Sequence, residues 1–224
     1  MSTVEQEVLP LVAGDKLTRD EFLRRWEAMP KVKFAELIGG VVYMPSPLSR
    51  DHSVPDLRVA YWVGHYAAFT PGCEAGSNGT WLMREDSPQP DVYLRLLPEH
   101  GGQSATAGPY PQGAPEFLAE ICLSSTAHDL HEKFDLYQAA GVREYLAFLV
   151  QEQEVRWHRL INGVFRVVAA DADGVMRSAV FPGLWLDAGA LLAGDMAKVF
   201  TVLTKGLNTP EHGEFVARLT RGGT

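Results

Sequence analysis

A single carboxylate stands in the run Phe117-Leu118-Ala119-Glu120-Ile121-Cys122-Leu123. The rest of that run is apolar or small, the composition of a strand covered on both faces. An ionised carboxylate removed from water without a partner costs several kcal/mol or takes up a proton. Glu120 therefore calls for a metal ion, a cation or a proton, unless it forms an internal salt bridge or lies at an edge open to water.

A second acid, Asp91, follows Pro90 and opens the stretch Val92-Tyr93-Leu94-Arg95. Proline is tolerated at a strand start, where a ladder donor is least missed. A Pro-Asp pair alone more often marks a turn. The third group is Lys133. At about 100° per residue, Leu130, Phe134, Leu136, Tyr137 and Ala140 form one apolar stripe, with His131, Glu132, Asp135 and Gln138 opposite. Lys133 falls inside the stripe, with Asp129 one turn earlier at its edge. A lysine there either snorkels towards water or is held by buried acids such as Glu120. The fourth group, Glu36, lies between Ala35 and Leu37. Taken alone it reads as the solvent side of a half-exposed hairpin.

Other polar clusters carry less. His128 and His131 are three apart, whereas a helical zinc pair prefers four with a glutamate between. They read as surface histidines. Gly101-Gly102-Gln103-Ser104 lacks the Gly-Lys-Ser/Thr ending of a phosphate loop. Ser124-Ser125-Thr126 lacks the glycines of a nucleophile elbow and reads as helix-start chemistry.

The elements that must position these groups follow from local pattern. Thr18 with Glu21 three residues on is a capping-box signal for a helix carrying Phe22, Leu23 and Trp26 and stopped by Pro30. Residues 34–38 and 41–44 flank Gly39-Gly40, a two-residue hairpin turn. A second helix is expected from near Asp56 to Phe69, then a turn-rich stretch from Pro71 to Asn78. Strands are expected at 80–84 and 91–97, and a long loop rich in glycine and proline at 98–116. After the Glu120 strand come a helix at 129–140 capped by Gly141, and strands at 144–150, 154–160, 164–169 and 177–181. The order predicts an α/β (α+β) fold with a mixed central β-sheet flanked by helices.

The chain has 224 residues, enough for one domain with a core of its own. Cys73 and Cys122 match no zinc or disulfide framework. No run is long and apolar enough to span a membrane, and the first residues lack the basic-then-apolar order of a secretory signal. The expected location is the cytoplasm. A net charge of −8 argues against a protein that coats nucleic acid, but not against an enzyme that cuts it.

Pro90-Asp91, Glu120-x-Cys122 on an apolar strand and a lysine-bearing helix together resemble the PD-(D/E)XK nuclease superfamily. More closely, the chain resembles the Uma-type restriction-endonuclease family. The likeness runs over about residues 18–192. It is carried by Thr18-x-x-Glu21-Phe22, Glu36-Leu37-Ile38-x-Gly40, Pro45-x-Pro47 with His52, Gln89-Pro90-Asp91, the run Glu120 to Thr126, and Asp129-x-x-x-Lys133-x-x-x-Tyr137-x-x-x-Gly141-Val142-x-Glu144-Tyr145. One departure is Cys122, which stands where the Glu-x-Lys element has its lysine; Lys133 matches the place of a lysine reaching in from the next helix.

The resemblance implies a restriction-endonuclease-like core over 18–195, between an N-terminal arm at 1–17 and a C-terminal extension at 196–224. It implies a metal-dependent endonuclease hydrolysing phosphodiester bonds in DNA. Glu36, Asp91, Glu120 and Lys133 would be its catalytic residues. Asp91, Glu120 and the Ile121 carbonyl would hold Mg²⁺ or Mn²⁺. The alternative is a catalytically inactive protein that keeps the fold for DNA binding or assembly. A homodimer is left open.

Overall fold

The computed structural model describes residues 8–44, 49–123 and 128–222. Pro45, Pro47 and the Ser124-Ser125-Thr126 run lie outside them, as do the side chains of His128, Asp129 and Leu130. The elements run in the order α1 (Arg19–Glu27), β1 (Glu36–Ile38), β2 (Val41–Tyr43), α2 (Arg50–Ala68), β3 (Cys73–Ser77), β4 (Val92–Leu96), β5 (Ala105–Ala107), β6 (Tyr110–Gln112) and β7 (Phe117–Cys122). They continue with α3 (His128–Ala140), β8 (Glu144–Leu149), β9 (Glu154–Ile161), β10 (Val164–Val167), β11 (Val175–Arg177), β12 (Trp185–Asp187), α4 (Ala188–Ala193), α5 (Met196–Leu207) and α6 (Pro210–Gly222).

Six strands form the central sheet in the order β10-β9-β8-β7-β4-β3. β7 and β8 are parallel and the other neighbours antiparallel, so the sheet is mixed as expected. The parallel pair is the most apolar and the most central, with β8 buried along its whole length. Alternation along β7 divides the core. Phe117, Ala119 and Ile121 pack with Val59, Trp62, Val63 and Tyr66 of α2 on one face. Leu118 packs with Leu136 and Tyr137 of α3 on the other. Glu120 shares parity with Leu118 and so points to the α3 face.

Thr18 caps α1 by accepting from the Glu21 N–H, but the capping box is only half formed. The Glu21 carboxylate turns instead to Arg24 and Arg25, two stronger charged donors. The hairpin forms as expected. Both turn glycines have positive φ, 59° and 75°, which non-glycine residues seldom adopt.

Several boundaries differ from the sequence pattern. Helix α2 begins at Arg50, with the buried Pro55 inside it. One missing N–H near the helix start is outweighed by the apolar face that follows. Residues 73–77 form strand β3 despite their glycine and polar content. Gly76 pairs with Tyr93 across the ladder, and the tyrosine ring occupies the space a Cβ would need. Residues 80–84 make only isolated bridges, at Leu82 and Met83. The long loop contains the β5–β6 hairpin.

Two stretches at the ends of the chain pack more closely than their sequence suggested. In the arm, Leu11 is buried and Gly14 N–H donates to the Val42 carbonyl. In the C-terminal extension, Val199 and Leu203 of α5 and Phe215 and Leu219 of α6 belong to the α2-side core. The Trp62 indole donates to the Trp185 carbonyl at 3.0 Å, the Tyr66 hydroxyl to the Pro182 carbonyl at 2.9 Å, and Thr70 meets His212 at 3.0 Å. We therefore expect Leu203→Ala to cost about 2–5 kcal/mol in chemical denaturation, the range for emptying a packed leucine site. A loss below about 1 kcal/mol would mean that α5 is not part of the cooperative core.

Candidate active site

Strand register brings the two central acids together. Val92 pairs with Ala119 in antiparallel sense, which sets Asp91 opposite Glu120 where β4 begins. Asp91 Oδ2 accepts from the Ile121 N–H at 2.7 Å, taking a ladder position that β4 does not reach. In a strand the N–H and C=O of one residue point the same way, so the Ile121 carbonyl also faces the Asp91 side. Both acids are buried.

Helix α3 supplies the positive charge. Lys133 Nζ lies 3.2 and 3.3 Å from the two oxygens of Glu120 and 2.8 Å from Glu36 Oε1. Its side chain is only 12 % exposed, so it is held by acids and does not snorkel. One turn on, the Tyr137 hydroxyl donates to Glu120 Oε1 at 2.5 Å.

Glu36 faces inward, contrary to its expected solvent-facing place. The reason is that β1 is bracketed. Leu37 exchanges backbone hydrogen bonds with Ser87, and Glu36 Oε1 accepts from the Gln89 N–H at 2.7 Å. Gln89 also accepts from the Ala35 N–H and donates to Thr80, fixing the strand on both sides. Glu36, Asp91, Glu120, Ile121 and Lys133 thus meet in one place.

The first turns of α2 reach the same place. His52 Nε2 lies 3.5 Å from Asp91 Oδ2, and His52 Nδ1 and Asp56 Oδ1 are buried with no hydrogen-bond partner among the described residues. His52, Asp56 and Tyr137 received no role from the sequence. Their legible signal is spacing: His52 and Asp56 are four apart on a helix, as are Lys133 and Tyr137. His131 is exposed and takes no part.

The electrostatics are unbalanced. Four carboxylates, Glu36, Asp56, Asp91 and Glu120, share one ammonium and one histidine. An ion pair at about 3 Å is worth roughly 5 kcal/mol at an effective dielectric near 20, while each desolvated charge costs several. Burial pushes the Glu120 carboxyl up, with Asp91 and Glu36 adding to it and Lys133 and Tyr137 opposing. Burial likewise pushes Asp56 to about 6, helped by Asp91. Burial works against the Lys133 charge, but Glu120, Glu36 and Asp91 outweigh it and hold the ammonium above the usual lysine range. The hydrogen bond to Asp91 raises His52, and burial keeps Tyr137 protonated. The site thus favours added positive charge, as cation or proton.

A mixed sheet between helices, with an acid-and-lysine cluster at the junction of its parallel and antiparallel parts, defines a restriction-endonuclease-like α/β protein. The chain belongs to the Uma2 family, described as "Putative restriction endonuclease", whose model matches residues 19–189. Among solved structures, the fold is similar to that of a "putative nuclease belonging to DUF820" from Anabaena variabilis. The TM-score is 0.58 at 18% identity, over 84% of this chain and 99% of the other. No protein of curated function matches.

Removing Lys133 tests the charge balance. In Lys133→Met we expect a loss on the order of 3–5 kcal/mol, because the acids lose their partner. The folded Glu120 pKa lies above its unfolded value, so the folded state binds more protons and stability falls as pH rises through the folded value. The variant's melting temperature should therefore drop more steeply than wild type between about pH 5 and 8. A parallel pH profile would remove Lys133 from the balance.

Proposed function

We propose that the protein is a metal-dependent endonuclease hydrolysing phosphodiester bonds in DNA in the cytoplasm. The observation that carries this reading is the convergence of Glu36 and Glu120 on one ammonium, with Asp91 set opposite Glu120 at the start of β4. Such a cluster leaves net negative charge in a buried place, which suits a hard divalent cation better than a structural salt bridge.

The donor set fits Mg²⁺ or Mn²⁺. Asp91 gives Oδ2 to the Ile121 N–H and to His52, and Oδ1 has no partner among the described residues. Among the described residues Glu120 Oε2 has only Lys133, at 3.3 Å. These two oxygens and the Ile121 carbonyl would hold the ion. No group of three or more His, Cys, Asp or Glu among the described residues is arranged as a metal cage. The remaining positions fall to water, which Mg²⁺ retains readily. Held there, a divalent ion would supply a bound water of lowered pKa and positive charge to offset that on a phosphate.

The chain's own groups do the rest. Lys133 keeps its proton against burial and places a fixed positive charge where negative charge develops on the phosphate. Glu36 sets the position of that ammonium. Asp91, tied to the backbone of the next strand, cannot swing away. No described helix is long and apolar enough to cross a membrane, in keeping with a soluble substrate.

Plasmid DNA with Mg²⁺ or Mn²⁺ tests the reading. Wild type should cut, chelation should stop it, and Asp91→Ala and Glu120→Ala should be inactive. Lys133→Ala should lose on the order of 100- to 1000-fold in rate. Failure of wild type to cut, together with failure to bind either cation, would select the non-catalytic protein of DNA binding or assembly instead.

A further inference from the structure

The oxygens of Glu120 are not treated alike. Oε1 accepts from the Tyr137 hydroxyl at 2.5 Å and lies 3.2 Å from Lys133, whereas among the described residues Oε2 has Lys133 alone, at 3.3 Å. Tyr137 is fully buried, and its ring packs on Tyr145 with centroids 5.5 Å apart, so the hydroxyl has no freedom to leave. Lys133 and Tyr137 sit one turn apart on α3 and pull the carboxylate towards the helix. The same pattern recurs nearby. Asp91 is anchored through Oδ2 only, and Glu36 through Oε1 only, among the described residues.

We propose that Tyr137 is a positioning residue that decides which divalent cation the site takes, an inference that rests on the metal reading above. By occupying Oε1, its hydroxyl leaves Glu120 one oxygen to offer. Mg²⁺ and Mn²⁺ suit a small set of single-oxygen donors and water. Ca²⁺ takes more ligands and readily accepts both oxygens of one carboxylate. Tyr137 thus disfavours the larger ion. Partners that orient a metal ligand are commonly worth about 10- to 100-fold in affinity.

The test compares Mg²⁺ and Ca²⁺ binding by calorimetry in wild type and Tyr137→Phe, which removes one oxygen and keeps the ring. Wild type should prefer Mg²⁺. In the variant Mg²⁺ affinity should fall about 10-fold while Ca²⁺ affinity holds or rises, so that the preference narrows or inverts. Equal loss for both ions, which would leave Tyr137 supporting binding without discriminating, or no change in either, which would leave it as packing alone, overturns the inference. Absence of any binding by wild type overturns the metal reading itself, and the inference with it. A second measurement needs no Tyr137 variant. In wild type, the infrared carboxylate bands that Glu120→Gln removes should shift with Mg²⁺ as for coordination through one oxygen. A shift of the two-oxygen kind overturns the proposal even if Tyr137→Phe does not fold.

Discussion

The contact on which the site depends is the Lys133 ammonium lodged between Glu36 and Glu120. It joins a peripheral hairpin, the central strand and the helix that follows that strand. Without it, the inward-facing Glu36 and the Glu120 of β7 have no cation between them among the described residues. The apolar core and the bonds that bracket β1 place these elements near one another, and the ammonium fixes which turn of α3 meets the hairpin. The arrangement costs stability, since more negative charge is buried than one lysine offsets. Such an uncompensated cluster is a feature that packing alone would not retain.

Legibility in the sequence varied with physical cause. Glu120 stood out because a charge in an apolar strand violates the pattern around it, and Lys133 because it broke an otherwise apolar stripe. Asp91 was weaker and gained weight only from the family resemblance. Glu36 could not be read correctly from its own strand. Its inward direction comes from Ser87 and Gln89, some fifty residues on, which bracket β1. Tyr137 looked like ordinary core because its ring is core; only the hydroxyl does chemistry. The pairing of His52 with Asp56 was hidden by Pro55, which made the helix seem to begin near Asp56 and left His52 outside it.

The fold shows the same division. The parallel pair, the hairpin and α3 were evident from periodicity and turn residues. Strand β3 was not, because Gly76 serves the Tyr93 ring rather than strand propensity. The role of α5 and α6 in the core was equally hidden. An amphipathic helix at a chain end does not say what its apolar face covers.

The partners of α2 also bear on how the protein is made. Thr70 meets His212 across 142 residues of chain, and Tyr66 reaches Pro182 across 116. At roughly 5–20 residues per second of synthesis, α2 leaves the ribosome some seconds to half a minute before its last partner exists. During that interval Trp62 and Tyr66 have no completed cover, and the chain offers an apolar helix to whatever chaperone is present. Closure around α2 waits for α5 and α6, so this face of the core stays incomplete until those helices have been made.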